Sequence, residues 1–150
     1  MAGWRLAFAA GNDQMIEALN LIQDHLFVGI FPALQEAGIA ALLDPKSEEA
    51  VAQLNATYDS RRDAFVQAAA KIGWKAFPSK GSFYAWMPVP EGYTSESFAD
   101  LLLEKAHVAV APGKGFGPAG NAYVRIGLLV EPERLVEAVN RIANLHLFNN

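Results

Sequence analysis

The chain has 150 residues, 52% of them hydrophobic and 19% charged, with a formal net charge of −4 and no cysteine. A chain of this size buries roughly 70% of its unfolded surface, enough for a real core, and so apolar a composition excludes a disordered chain. Lack of a basic run argues against a nucleic-acid partner, lack of cysteine removes disulfides, thiolate zinc sites and a cysteine nucleophile, and no apolar run approaches the ~20 residues of a bilayer span.

In chain order, residues 4–9 (Trp-Arg-Leu-Ala-Phe-Ala) read as a strand ending at Gly11. Its abrupt start after Met1 predicts a piece cut from something longer, and the absence of a signal-peptide pattern gives a cytoplasmic location as the expectation. Asn12 is placed to cap a helix carrying Met15, Ile16, Leu19 and Ile22 on one face. Gly29 and Pro32 predict a bend between elements over 27–32. Leu34, Ala37, Gly38, Ala41 and Leu42 form a second helical face, which Asp44-Pro45 ends. From Ser47, apolar positions recur at helical spacing as far as Ile72, a helix of about 37 Å, with Gly73 as its C-cap. The cluster Asp59, Arg61, Arg62 and Asp63 on it reads as a solvated face.

Residues 74–77 and 82–87 read as a hairpin joined by Pro78-Ser79-Lys80-Gly81. On the second strand Ser82, Tyr84 and Trp86 share one face, and Phe83, Ala85 and Met87 the other. Thr94 or Ser95 caps a helix running to about Ala106, and Val108–Ala111 follows as a short strand. After a glycine-dense loop, 112–120, comes the strand Tyr123–Leu129, and then a helix opened by Pro132 with Leu135, Val136, Val139 and Ile142 inward. Phe148 and the Asn149-Asn150 tail are expected to fray. The order of elements predicts an α/β or α+β layer, a small sheet covered by helices on one face, with a division near residues 27–32.

The strand 123–129 carries the most suggestive chemistry. Val124, Ile126 and Leu128 share its buried face, which leaves Tyr123, Arg125 and Gly127 on the other. A guanidinium beside a residue with no side chain offers both a bidentate fork and room for a small carboxylate. An ordinary arginine on a half-exposed strand has the same pattern. The loop around Gly113-Lys114 lacks the Ser or Thr of a phosphate loop and precedes a strand rather than a helix; the dinucleotide fingerprint fails on the same context. His25, His107 and His146 stand apart with no ligand-spaced partner, so no metal site is expected. Arg5 and Arg125, both in apolar strand-like settings, would make a site with two cationic anchors if the fold joined them.

Four pieces of the chain resemble, in order, one known family. Met1-Ala2-Gly3-Trp4-Arg5-Leu6 with Gly11-Asn12 is similar to the segment that follows the cofactor lysine in class I/II, fold-type I, aminotransferases. Gly81-Ser82-Phe83-Tyr84-Ala85-Trp86, then Val110-Ala111-Pro112-Gly113 and Phe116-Gly117, then Tyr123-Val124-Arg125-Ile126-Gly127, resemble that family's C-terminal domain. The resemblance implies the C-terminal part of a fold-type I enzyme: a small, mainly antiparallel sheet covered by helices, with a long connecting helix. Residues 1–30 would be the residual end of the large domain and 31–150 the small domain. It implies pyridoxal 5'-phosphate (PLP) held as a Schiff base in the large domain, an amino acid and a 2-oxo acid as substrates, and a homodimer. Arg5 would bind the cofactor phosphate and Arg125 the substrate α-carboxylate, with Phe83 and the 112–117 loop near the substrate mouth. The family's lysine belongs a few residues upstream of Met1, and Lys46, Lys71, Lys75, Lys80, Lys105 and Lys114 stand in other contexts. No catalytic residue is therefore expected in this chain, which alone should be inactive. The alternative is a stand-alone module that binds a carboxylate ligand or a protein and has kept the fold without the reaction.

Overall fold

The computed structural model describes residues 2–77 and 79–148. Pro78 of the predicted hairpin connection and the Asn149-Asn150 tail lie outside them. The chain divides into two compact units, Met1–Ala52 and Gln53–Asn150.

In the first unit, α1 (Asp13–Ile22) starts where expected: Asn12 Oδ1 accepts from Gln14 N at 3.0 Å and Met15 N at 3.3 Å, satisfying two orphan amides of the first turn. A π turn, Gln23–Phe27, widens its end before Val28 and Gly29, both at positive φ, turn the chain. α2 (Pro32–Leu43) has proline in its first turn, where a missing N–H costs nothing. It ends at Asp44, whose carboxylate accepts from Lys46 N at 2.8 Å. Gly38 lets Leu6 lie against α2, since a Cβ there would fall 2.5 Å from Leu6 Cδ2.

The strand predicted over 4–9 is not formed. A 3₁₀ turn spans Ala2–Trp4, Arg5 is left-handed at φ +57°, and residues 6–10 have no regular structure. A strand exists by pairing, and among the described residues none in this unit offers a partner edge. Gly38 is also the only described residue of the unit that is buried.

The second unit has a conventional core. β1 (Tyr84–Pro88), β2 (Ala111–Pro112) and β3 (Tyr123–Gly127) form an antiparallel sheet in the order β1-β3-β2. Its buried face supplies Ala85, Met87, Val124 and Ile126, joined by Leu128 just past β3. Against these pack Phe65, Ala68 and Ala69 of α3 (Ser47–Lys71), Phe98 and Ala99 of α4 (Ser95–Leu101), Leu102 and Ala106 of the π turn after it, and Leu135, Val139 and Ile142 of α5 (Pro132–Ala143). Alternation in the strands and 3–4 spacing in the helices present one apolar face each, as the sequence predicts.

Trp74 stands at the centre, 1% exposed, its indole N–H donating to Pro88 O at 2.8 Å. Gly73, at φ +80°, turns the end of α3 so that Trp74 N reaches Ala69 O at 3.0 Å. Phe148, expected to fray, instead stacks on Trp74 with ring centroids 5.0 Å apart and packs on the core. The area an aromatic ring buries outweighs the freedom a terminal residue loses.

Three further expectations are revised. The hairpin from 74–77 shrinks to one bridge, Phe77 to Trp86, because proline follows Phe77 and cannot donate to a ladder. The strand over 108–111 moves to Ala111–Pro112, since His107 turns left-handed and Val108 N closes the helix end on Leu102 O at 3.1 Å. The charged cluster on α3 is not wholly solvated: Arg62 joins Asp59 and Asp63, but the Arg61 side chain, 14% exposed, reaches Glu131, and its Nε is buried with no partner.

Candidate functional site

Arg125 sits on the middle strand, opposite Trp86 of β1 and Ala111 of β2. Val124 and Ile126 on either side point into the core, so the pleat delivers Arg125 to the half-exposed face, as the sequence predicts. Its guanidinium carbon lies 4.1 Å from the ring centroid of Tyr84 and 4.1 Å from that of Phe116. Among the described residues no carboxylate pairs with it. A cation held by the negative faces of two rings, with its N–H groups free of protein anions, is an anion receptor in physical terms.

Tyr84 is the partner of Gly127 across the strands, and a Cβ at Gly127 would make only ordinary van der Waals contact with Leu129 Cδ1 at 3.4 Å and Tyr84 Cε1 at 3.9 Å, so the position is lined but not filled.

Phe116 comes from the glycine-dense loop, which folds as two 3₁₀ turns, Gly113–Phe116 and Pro118–Ala122. Gly117 joins them at φ +127°, a conformation reserved in practice for glycine. At its base the two arms touch backbone to backbone: a Cβ on Gly113 would lie 2.2 Å from Gly120 O, and one on Gly120 only 2.0 Å from Gly113 O. Ser95, fully buried, accepts from Lys114 N at 3.3 Å and donates to Asn121 Oδ1 at 3.4 Å. Lys114 Nζ bonds Glu96 at 2.8 Å.

Two hollows adjoin this face. One, of about 500 Å³, is lined by Phe77, Trp86, Phe116 and Tyr123 together with Pro118 and small residues of its loop. The other, of about 510 Å³, lies between α3 and the 79–83 segment and includes Tyr58, Arg62, Lys80 and Phe83. Arg62 is locked there between Asp63 and Asp59, and the hydrogen bond to Asp63 raises its pKa further. Phe83 is half-buried at the rim, its ring 5.7 Å from Tyr58 and 4.5 Å from Tyr84. Its carbonyl accepts from Leu128 N at 2.8 Å. Phe83, Tyr84, Arg125 and Phe116 thus form a continuous row.

The structure groups Arg125 with Phe83 in the second unit and places Arg5 in the first. Arg5 is exposed in a left-handed turn, not in the strand expected for it, and has no carboxylate partner among the described residues. His25 closes a π turn, while His107 and His146 turn the chain at positive φ. No group of His, Asp or Glu among the described residues is arranged to hold a metal, and no helix there is long and apolar enough to cross a membrane. Sequence reasoning missed the partnership of Tyr84 and Phe116 with Arg125. Only the strand register carried a signal for Tyr84, and nothing local signalled Phe116, which arrives from a loop.

Known proteins resemble nearly the whole chain in sequence and in fold. The family model of aminotransferase class I and II matches residues 1–142. The L-glutamine–4-(methylsulfanyl)-2-oxobutanoate aminotransferase of Bacillus subtilis is 59% identical over 148 residues, covering 99% of this chain and 37% of that protein. The LL-diaminopimelate aminotransferase of Moorella thermoacetica is 46% identical over 142 residues, covering 95% of this chain and 36% of that protein. Apo-BacF from Bacillus subtilis superposes with a TM-score of 0.89 at 45% identity, covering 100% of this chain and 38% of that one. The aromatic aminotransferase of Pyrococcus horikoshii does so with 0.89 at 36% identity, covering 97% and 39%. From residue 1 to residue 142, the chain belongs to the class I and II aminotransferases, and it spans little more than a third of the length of these relatives.

Proposed function

We propose that this chain is the C-terminal part of a PLP-dependent aminotransferase that moves an amino group between an amino acid and a 2-oxo acid. The observation that carries this reading is the Arg125 guanidinium, without a carboxylate partner among the described residues and held on the middle strand between Tyr84 and Phe116. In it, Arg125 binds the substrate α-carboxylate by its planar fork, and Phe83 borders the substrate mouth. Residues 1–30 are the end of the large domain, residues 31–150 are the small domain, and the whole enzyme is a homodimer.

The chain's residues fit one end of the cofactor. Arg5, exposed and without a protein anion among the described residues, suits a phosphate dianion. When bound, PLP supplies the electron sink for bonds broken at the substrate α-carbon. The only lysine of the first unit, Lys46, is exposed in the turn after α2, and Lys71, Lys75, Lys80, Lys105 and Lys114 belong to the second unit. In this reading none of these lysines is the amine that exchanges with substrate and moves the proton, and the chain alone is inactive. What it contributes is a phosphate anchor, a carboxylate anchor and the face on which substrate is oriented.

The test is a chimera in which these 150 residues replace the matching segment of the Bacillus subtilis relative that is 59% identical. Transaminase activity is expected. Arg125→Ala should lower kcat/KM by about 10²-fold or more, the scale of removing one partner of a bonded charge pair. Arg5→Ala should weaken retention of the cofactor. An active chimera whose KM ignores Arg125→Ala would overturn the carboxylate assignment.

A further inference from the structure

We infer that Tyr84 and Phe116 are positioning residues that fix the orientation of the Arg125 guanidinium, and that buried Ser95 sets Phe116 by pinning both arms of the loop that carries it. The inference rests on the reading of Arg125 as the carboxylate anchor, and it concerns what aims that side chain rather than what it binds.

An arginine free on a sheet face rotates about several bonds, and an anion that binds it must first stop that motion. Ion pairing usually does so in advance, but no carboxylate among the described residues reaches Arg125. Two rings at 4.1 Å take that role here, and they do so without occupying the N–H groups an anion needs.

The rings are secured differently. Tyr84 is held by strand pairing opposite Gly127 and by contact with Phe83. Phe116 lies on no strand and is 53% exposed, so beyond an edge contact with Trp86 of β1 its place depends on its loop. The Ser95 hydroxyl bonds Lys114 before the ring and Asn121 after it, and the Gly113–Gly120 crossing closes the same two arms. A hydroxyl that is fully buried, and spends both its donor and its acceptor on one loop, acts on that loop's conformation.

The test uses the full 150-residue chain labelled with ¹⁵N. The side-chain Nε–Hε resonance of Arg125 is assigned by its loss in Arg125→Lys. In the wild type its order parameter should be about 0.8 or higher, and in Phe116→Ala below about 0.6. Phe116→Tyr should restore it, because the ring face returns. Ser95→Ala should lower it while Phe116 is still present; if that variant unfolds, the Phe116 pair decides. Titrated acetate should bind roughly two- to five-fold more weakly to Phe116→Ala, the scale of one exposed cation–π contact. A folded Phe116→Ala chain with unchanged Arg125 order overturns the inference. Wild-type Arg125 that ignores acetate overturns the carboxylate reading instead, and the order parameters still decide the positioning.

Discussion

Arg125 is useful at this position because of what a guanidinium is, not only because it is positive. Its planar fork matches both oxygens of a carboxylate, whereas a lysine offers a hydrated point charge. In the chimera described above, Arg125→Lys should therefore keep part of the attraction but lose about ten-fold in kcat/KM, less than the alanine variant loses. The face it occupies was legible from the period of the strand, since a one-residue shift would have buried a charge in place of Val124 or Ile126. The rings that hold it were not, because Phe116 comes from a different part of the chain. Glu137 gives a second prediction at this scale. Hydrogen bonds from Arg134 at 2.6 Å and from Arg141 hold its carboxyl below the usual range. A lowered carboxyl pKa stabilises the fold above the unfolded pKa, and that stabilisation fades as pH falls through the lower folded value. The melting temperature of Glu137→Gln should sit slightly below the wild type at pH 7, and the difference should shrink as the pH falls below the usual carboxylate range.

Among the elements, helices were more legible than strands. A helix satisfies its own backbone, so its start is written locally: Asn12 for α1 and Pro132 for α5 stand where the sequence put them, Thr94 is the one of the two caps offered for α4, and Pro32, expected only in a bend, opens α2. At α4, Thr94 Oγ1 accepts from Ser97 N while the Ser97 hydroxyl accepts from Thr94 N, a reciprocal box. Thr94→Ala should cost about 1 kcal/mol in urea unfolding with an unchanged m-value. Strand boundaries depend on partners that sequence does not display, which is why residues 4–9 and 74–77 failed to pair as expected. The glycine-dense loop was legible as permissive backbone but not as a crossing. Gly120→Ala would press a methyl into Gly113 O and should cost about 3 kcal/mol, read as a lower urea midpoint.

On the scale of the molecule, the two units differ in how they bury apolar surface. Gln53–Asn150 closes a core around Trp74, whereas in Met1–Ala52 such residues as Trp4, Phe8, Phe27, Phe31, Leu42 and Leu43 face outward. Apolar surface on this scale needs cover, and the chain spans 37% of the length of its Bacillus subtilis relative. Hydrogen exchange on the chain by itself should separate the two: amides of β3 and α5 slow, amides of α1 and α2 fast. Equal protection in both units would mean that the first is better packed than its exposures suggest. The resemblance in the sequence gave the family, while the uneven burial needed coordinates to be seen.

The three tryptophans have an optical consequence. Trp4 is 63% exposed in the first unit, Trp74 is enclosed in the core, and Trp86 lies directly across the strands from Arg125, its ring 5.8 Å from Phe116. Their emission should differ in colour, red-edged for Trp4 and blue for Trp74, with Trp86 between. With Trp4 and Trp74 replaced by phenylalanine, the remaining indole would be an intrinsic lamp beside the anion anchor. Its intensity would report on loop and guanidinium together, without any added dye.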